Sequence, residues 1–420
     1  MPKKLSDAAL IIRTAFFIAA KSIRRGSLAV KIVTIFILLL TFLNLLVVGG
    51  LLNGITEDVG AKVKTSLTGD VYIKPSKEYT YVQNASDIFS ILDNTSSANY
   101  SPRLTSGATI EYGDATAEQQ PARVNAVVAG IDPARESRVT TIDQRVVSGA
   151  FLGAEDKNTI VLGSSLVDGY TASETSNGET LGNVAVGDKV SIRFPANSSS
   201  QEFTVVGILN SKSAVVDQRA FINQETLRQS LMTGSSDYSE IAVVANGDKA
   251  ASALIKELRA APDAGKNEIK SADEAIPSAI ADVQKAFGMI GNIVGVTALL
   301  VGIVTIFVIV FVSASSRRRY LGILKAQGIS APTLVLSYIF QIVFYVLVGV
   351  ALGLVVLFAI LQPFFASHPI SLPMADGQLF LPAQYVTSRI VILFVAAIIS
   401  AFIPAWLIIR QNTLDAILGR

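Results

Sequence analysis

Between Lys31 and Glu57 the chain reads IVTIFILLLTFLNLLVVGGLLNGIT, residues 32–56, with no charge among them. A helix rising about 1.5 Å per residue needs about 20 such residues to cross about 30 Å of hydrocarbon. Three further stretches meet that requirement: 286–316 between Lys285 and Arg317, an apolar block from Thr333 to Leu361, and 390–409 between Arg389 and Arg410. Half of the chain is hydrophobic and only 16% is charged, and the apolar excess is gathered into these blocks. The expected spans are 31–56, 286–315, 332–362 and 389–410.

Lys and Arg set the orientation, because they accumulate on the cytoplasmic side. Residues 1–31 carry Lys3, Lys4, Arg13, Lys21, Arg24, Arg25 and Lys31 against the single acid Asp7. The loop after the second span, 316–331, carries Arg317, Arg318, Arg319 and Lys325 with no acid. Both termini, including the tail 411–420, are therefore expected in the cytoplasm of a multi-pass cell-membrane protein. The segment 57–285 and the short loop 363–388 are expected outside. Residues 7–25 (DAALIIRTAFFIAAKSIRR) place basic and apolar residues at helical spacing, so 1–30 reads as an amphipathic helix on the inner membrane surface or packed on protein.

Period-two apolar patterns predict strands at Val71–Ile73, Val124–Ile131, Thr159–Leu162, Val190–Phe194, Phe203–Leu209 and Ile241–Val244. Helical patterns cover Asn223–Met232 and Lys249–Arg259, and polar clusters mark loops at 93–101, 171–182 and 196–201. The expectation is a large α+β extracytoplasmic domain of two lobes, the middle one (120–205) inserted into the other. Ser271-Ala-Asp-Glu274 is a capping-box pattern, so a helix is expected from there into the second span. Ile276, Ile280, Val283 and Phe287 would form one apolar stripe, and Leu52, Ile55, Val59, Val63 and Leu67 a second one continuing the first span. Together they describe a helical stalk between the membrane and the domain. The pairs Gly50/Gly54, Gly291/Gly295 and Gly349/Gly353 permit close helix approach, within the chain or between copies.

The loop Ser316-Arg-Arg-Arg-Tyr-Leu-Gly-Ile-Leu-Lys-Ala-Gln-Gly-Ile-Ser330 reads as a short helix stopped by Gly328, with Tyr320, Ile323 and Leu324 on an apolar face. Here the chain resembles the FtsX/MacB-type ABC transporter permeases. The corresponding family loop runs approximately R-x-x-E-I-G-I-L-K-A-x-G, and Arg318, Tyr320 to Ala326 and Gly328 match it, with Tyr320-Leu321 in place of the common Glu-Ile. Val161 to Leu166, Val186 to Val190, Phe203 to Leu209, Ile403 to Trp406 and Asp415 to Leu418 extend the likeness over nearly the whole chain.

The resemblance implies an all-helical membrane part with a MacB-like core domain between the first two spans. It also implies a docking helix formed by Arg317, Arg318, Arg319, Tyr320, Leu321, Ile323, Leu324, Lys325 and Gly328 for a dimer of cytoplasmic ABC ATPases. A second permease copy, identical or paralogous, is implied as well. ATP-driven motion would pass through the spans and stalk to export or extract a lipoprotein, peptide, lipid or amphipathic drug. The alternative is an FtsX-like regulator of an extracytoplasmic cell-wall hydrolase, with that hydrolase or an accessory protein as partner.

The residues also exclude several classes. No Cys is present and His368 is the sole histidine, which rules out Cys-ligated metals, disulfides and multi-His zinc sites. No G-x-x-x-x-G-K-[ST] loop occurs, so ATP and its magnesium are expected on a partner, with no cofactor on this chain. No paired-carboxylate or Ser/Lys catalytic spacing is evident; a non-catalytic subunit is expected, and no nucleic-acid partner. His368 and Asp376 read as solvent-exposed residues of the short outer loop.

Overall fold

The computed structural model describes residues 2–95, 98–113, 121–170, 180–195, 200–262, 264–372 and 375–409. The expected loops 93–101, 171–182 and 196–201 lie partly outside these residues. The tail 411–420, with the family-like Asp415–Leu418, lies wholly outside them. In chain order the first elements are α1 (Pro2–Arg25), α2 (Leu28–Val63), β1 (Val71–Pro75), α3 (Ala85–Asn94), β2 (Asn99–Tyr112), β3 (Ala122–Ile131), α4 (Pro133–Val139), β4 (Val146–Gly149), β5 (Thr159–Gly163) and β6 (Lys189–Arg193). They are followed by β7 (Gln201–Leu209), α5 (Ala214–Asp217), β8 (Arg219–Asn223), α6 (Gln224–Leu231), β9 (Glu240–Val244), α7 (Asp248–Ala260) and β10 (Asn267–Ser271). The last are α8 (Ser278–Ser316), α9 (Arg318–Ala326), α10 (Ala331–Val356), α11 (Gln362–Ser367), β11 (Ile370–Ser371), β12 (Asp376–Gly377) and α12 (Ala383–Ile409). The chain forms two compact units: a helical one (Met1–Ile55, Gln284–Ile370, Gly377–Arg420) and a sheet one (Thr56–Val283, Ser371–Asp376).

Four helices are long and apolar enough to cross a membrane: Leu28–Thr68, Ile280–Ser316, Ala331–Ser367 and Ala383–Leu407. Within the helical unit α2 is the hub, with Leu38, Phe42 and Leu46 fully buried. Lipid tails are as apolar as Leu, so helices in a bilayer associate through close packing rather than water expulsion. Glycines supply it. Gly349 and Gly353 of α10 lie against Leu38 and Phe42, and Gly291 and Gly295 of α8 lie against Leu52 and Leu45. Gly50 and Gly54 face Leu379, Leu381 and Gln378 ahead of α12. All three small-residue pairs are thus used inside one chain.

The sheet unit has two apolar cores. The first packs α3 and α7 on β10-β1-β9 and the start of β2, around Ile73, Leu92, Val243 and Leu254. The second lies on the sheet β2-β3-β8-β5-β7-β4, with β6 bridging β2 and β7, around Leu104, Ile110, Ile160, Phe203 and Ile222. The six expected strands fall in β1, β3, β5, β6, β7 and β9, and the two expected helices are α6 and α7. Alternation works there because one strand face meets a core. The inserted lobe is wider than 120–205, since β2 belongs to both lobes: Asn99–Arg103 pair with β9 and Leu104–Tyr112 with β3. Part of the expected loop 93–101 is therefore the start of a 14-residue strand. Its crossing point, Ser101-Pro102-Arg103, buries polar groups and carries no apolar alternation.

The helix expected from Ser271 starts later, at Ser278. The capping box does form, with Ser271 Oγ accepting from Glu274 N at 3.3 Å and Glu274 Oε2 accepting from Ser271 N at 3.2 Å. It closes only a turn, because Pro277 disfavours the helical backbone at Ile276; α8 starts at Ser278. Ile276 is therefore off the helix on which the stripe was expected.

Two guanidinium and two carboxylate side chains are buried together where the lobes meet. Arg103 on β2 donates to Glu136 of α4 through Nε (2.9 Å) and Nη2 (2.7 Å), and through Nη1 to Glu240 of β9 (3.3 Å) and to the Leu67 carbonyl (2.7 Å). Arg219 of β8 donates to the same Glu240 oxygen at 2.8 Å, and the Tyr72 hydroxyl of β1 donates to Glu240 Oε2. Ser101 and Thr140 hydroxyls donate to Glu136 at 2.7 and 2.6 Å. Burial alone would raise the Glu240 carboxyl, but Arg219 and Arg103 outweigh it and hold it far below the usual carboxylate range. Burial, with the Glu240 charge, pushes the Tyr72 phenol well up. Removing one member strands the others without water. Arg103→Met should cost about 3–5 kcal/mol of sheet-unit stability, read as a lowered unfolding midpoint of the full chain, and an unchanged midpoint would contradict the network.

A separate carboxyl, Asp217 in α5, is raised from 3.8 to about 6 by burial, against hydrogen bonds from Ser211 N and Oγ, each 2.8 Å. A carboxyl raised on folding holds its proton better in the native state, so its contribution to stability grows as pH falls through about 6. Asp217→Asn should flatten this part of the stability profile between about pH 6 and 4. Thermal unfolding of both proteins across that range checks it.

Candidate functional site

The helix α9 between the second and third long helices is short, yet it is fixed at both ends and underneath. Arg317, its N-cap, donates from Nη1 to Ser22 Oγ of α1 at 2.6 Å. Lys325 in its last turn donates to the Ile409 carbonyl of α12 at 2.8 Å, where a cation meets the negative end of that helix. Leu321 is 7% exposed in the core formed by α2, α8, α10 and α12, and Leu324 packs on the same core.

Its C-terminus is a Schellman closure. Gly328 takes φ +90°, its N–H donates to Lys325 O at 3.0 Å, and Ile329 N–H donates to Leu324 O at 3.2 Å. Ile329 joins Leu324 on the core, and Ser330 then takes the N-cap position of α10, its hydroxyl meeting that of Thr333 at 2.7 Å, with Pro332 in the first turn. A side chain at 328 would be strained by the backbone angle alone.

The expected apolar face is split by this seating. Leu321 and Leu324 point inward, while Tyr320 and Ile323 are 58% and 42% exposed. Arg319 is exposed as well, and the Arg318 side chain lies outside the described residues. Helix α1 lies on α10 through buried Ala15 and Ala19, with Phe16 edge-on to Phe340 at 6.0 Å. Leu10, Ile12, Phe16 and Phe17 remain largely exposed.

Of the residues expected in the stalk, Ile55, Val59, Val63 and Ile280 are buried and Leu52 and Phe287 are half-buried. Val283 is exposed, and Ile276 precedes its helix. Helix α2 ends in a π-helical segment, Lys64–Thr68, followed by Gly69 at φ +64° against the Val243 carbonyl. A Cβ there would collide with that backbone, so the entry into β1 requires glycine.

Asp376 is not the exposed loop acid expected from sequence. In the sheet unit its carboxylate meets Lys62 of α2 at 3.0 Å and Lys212 at 2.5 Å, and its N–H donates to Asp58 Oδ2 at 2.6 Å. Lys62 also pairs with Asp58 at 2.6 Å, and Lys212 donates to Ser371 Oγ at 3.1 Å. Partial burial would raise the Asp376 carboxyl, but Lys212 and Lys62 hold it below its ordinary value. The Asp58–Lys62 spacing of four was legible as a helical ion pair; its partners from 212 and 376 were not, being far away in sequence. His368 is exposed as expected and stacks on Phe364 at 5.2 Å. Asp376→Asn should weaken both lysine contacts, and faster amide exchange at 375–376, about fivefold, is the expected readout. Unchanged exchange would show that the loop is held by something else.

Among the described residues no cluster of three or more His, Asp or Glu could hold a metal. Four long apolar helices, a short helix fixed between two of them and a two-lobed sheet domain describe a multi-pass membrane protein. A family model described as MacB-like periplasmic core domain matches residues 32–261, and one described as FtsX-like permease C-terminal matches 292–413. The chain belongs to the FtsX/MacB-type ABC transporter permeases, a family that works with ABC ATPase partners. No curated protein matches the chain. Among solved structures it is similar to the periplasmic region of MacB from Actinobacillus actinomycetemcomitans, at 15% identity and TM-score 0.33, covering 50% of this chain and 92% of that one.

Proposed function

We propose that this chain is the non-catalytic permease subunit of a mechanotransmitting ABC system, paired with a second permease copy and driven by a separate ATPase dimer. The termini and α9 face the cytoplasm and the sheet unit faces outward, as the basic residues of 1–31 and 316–331 favour. ATP and magnesium belong to the partner, which is consistent with the lack of a phosphate-binding loop in this sequence. The cargo is an amphiphile or lipid-anchored molecule handled by the sheet unit, for which the family membership is the support.

One observation carries the reading: α9 presents Tyr320 and Ile323 outward while Arg317, Leu321 and Lys325 tie it to α1, the helical core and α12. A force applied to the exposed face is delivered to several helices at once. Three covalent routes then lead into the sheet unit, along α2, along α8 and through 371–376. Transport is favoured over regulation of a hydrolase by the size of the two-lobed domain.

The geometry selects the test. Tyr320→Asp and Ile323→Asp should abolish co-purification of the ATPase while leaving a folded permease, because neither side chain belongs to the core. Leu321→Asp should lose the folded permease itself, since a carboxylate at a buried apolar position has no partner there. ATPase recovery at the parental level with both exposed-face variants would refute α9 as the docking element.

A further inference from the structure

Helix α12 contains one charged residue, Arg389, six residues after its start at Ala383. That distance is about 9 Å along the axis. The uncharged stretch 390–409 follows, about the length needed for the hydrocarbon core. The guanidinium therefore lies at the depth where phosphate headgroups meet acyl chains.

Its setting is specific. The guanidinium carbon lies 4.9 Å from the centroid of the Tyr385 ring, a cation–π contact that orients the planar fork. The Tyr385 hydroxyl donates to the Leu45 carbonyl of α2 at 3.3 Å, which fixes the ring. Nη1 sits beside Gly295 of α8, 4.0 Å from where a Cβ would stand, so a residue without a side chain keeps the space open. Nε is buried with no hydrogen-bond partner among the described residues. The group has given up hydration there without gaining a carboxylate.

The acids of the helical unit are Asp7 and Asp415 alone. The side chains of both lie outside the described ones, and among the described residues no carboxylate pairs with Arg389. An unpaired cation held at this depth favours an anion brought by the bilayer, and the guanidinium fork matches a phosphate bidentately.

We propose that Arg389, positioned by Tyr385 between α2, α8 and α12, binds the phosphate of one phospholipid headgroup. The ligand is an amphiphile, since the fork sits at the lipid boundary. An ordinary interfacial arginine that merely brushes bulk lipid would show no such fixed stoichiometry.

The test uses the full-length chain in detergent, with phosphatidylglycerol added and retention read by native mass spectrometry. The parent should hold one phosphatidylglycerol per chain, and Arg389→Gln should lower retention roughly tenfold. Arg389→Lys, which keeps the charge but not the fork, should fall between them, as should Tyr385→Phe, which keeps the ring but loses the hydroxyl that fixes it. Millimolar inorganic phosphate should leave the lipid in place. If R389Q does not elute as a folded particle, Tyr385→Leu supplies the comparison, with loss of lipid expected. Retention unchanged in R389Q, or in Y385L where that variant is used, overturns the site in favour of bulk contact, and displacement by inorganic phosphate overturns the lipid in favour of a free anion.

Discussion

Arg103 sits at the point where β2 leaves one lobe of the sheet unit and enters the other, and its guanidinium is fully enclosed with Glu136, Glu240 and the Leu67 carbonyl. Buried ion pairs gain little over apolar packing, because two charges must first be stripped of water. What this one supplies is position. Glu240 accepts from groups on β1, β2 and β8, so a slip of any of these strands would leave a charge unmatched in a dry interior. Each lobe has its own apolar core, and the polar cluster joins them. The Leu67 carbonyl adds the π-helical segment that follows α2 to the same cluster.

Much of this architecture was legible in the sequence and some of it was not, for identifiable reasons. The four long helices follow from uninterrupted apolar length, and the six strands from alternation against a core. Strand β2 was hidden because its buried positions include Ser101 and Arg103, whose partners come from residues 67, 136 and 240 rather than from neighbours. The start of α8 was misplaced because a correctly read capping box at Ser271 is overridden three residues past its end by Pro277. In α9 the glycine stop was read correctly. The orientation of Leu324 was not, since a nine-residue helix with two apolar sides does not say which side meets the core. Asp376 looked solvated because the lysines that hold it are 314 and 164 positions away.

The charge distribution separates the two units more sharply than composition does. The helical unit has two acids, Asp7 and Asp415, against its many Lys and Arg, whereas the sheet unit holds nearly all the carboxylates. Cations in the helical unit must therefore settle on hydroxyls, carbonyls, aromatic faces or lipid. Arg317 meets Ser22 Oγ, Lys325 meets the last carbonyl of α12, Lys21 lies 5.8 Å from the Phe17 ring, and Arg389 stacks on Tyr385. These contacts set geometry without neutralising charge, so the membrane-facing surface keeps a net positive character that anionic lipid can answer.

That way of fixing α9 has a mechanical consequence. A short helix fastened by a single hinge would swing under load and dissipate it. Fastened by an arginine at its N-cap, a lysine at its last turn, a buried leucine between them and a Schellman turn beyond, it has no free rotation left except with the helices it touches. Carbonyl and hydroxyl acceptors suit this role better than carboxylates at the same places. They orient the cations through short directional bonds, yet leave the positive charge available to hold the helix at an anionic surface. In place of the Glu that family loops often have ahead of Leu321, Tyr320 presents an exposed ring that leaves the charge of the neighbouring arginines uncancelled. Under the docking role proposed for α9, the contact would be an apolar one framed by basic residues, which tightens with buried area and weakens little with salt, unlike a salt bridge exposed to solvent.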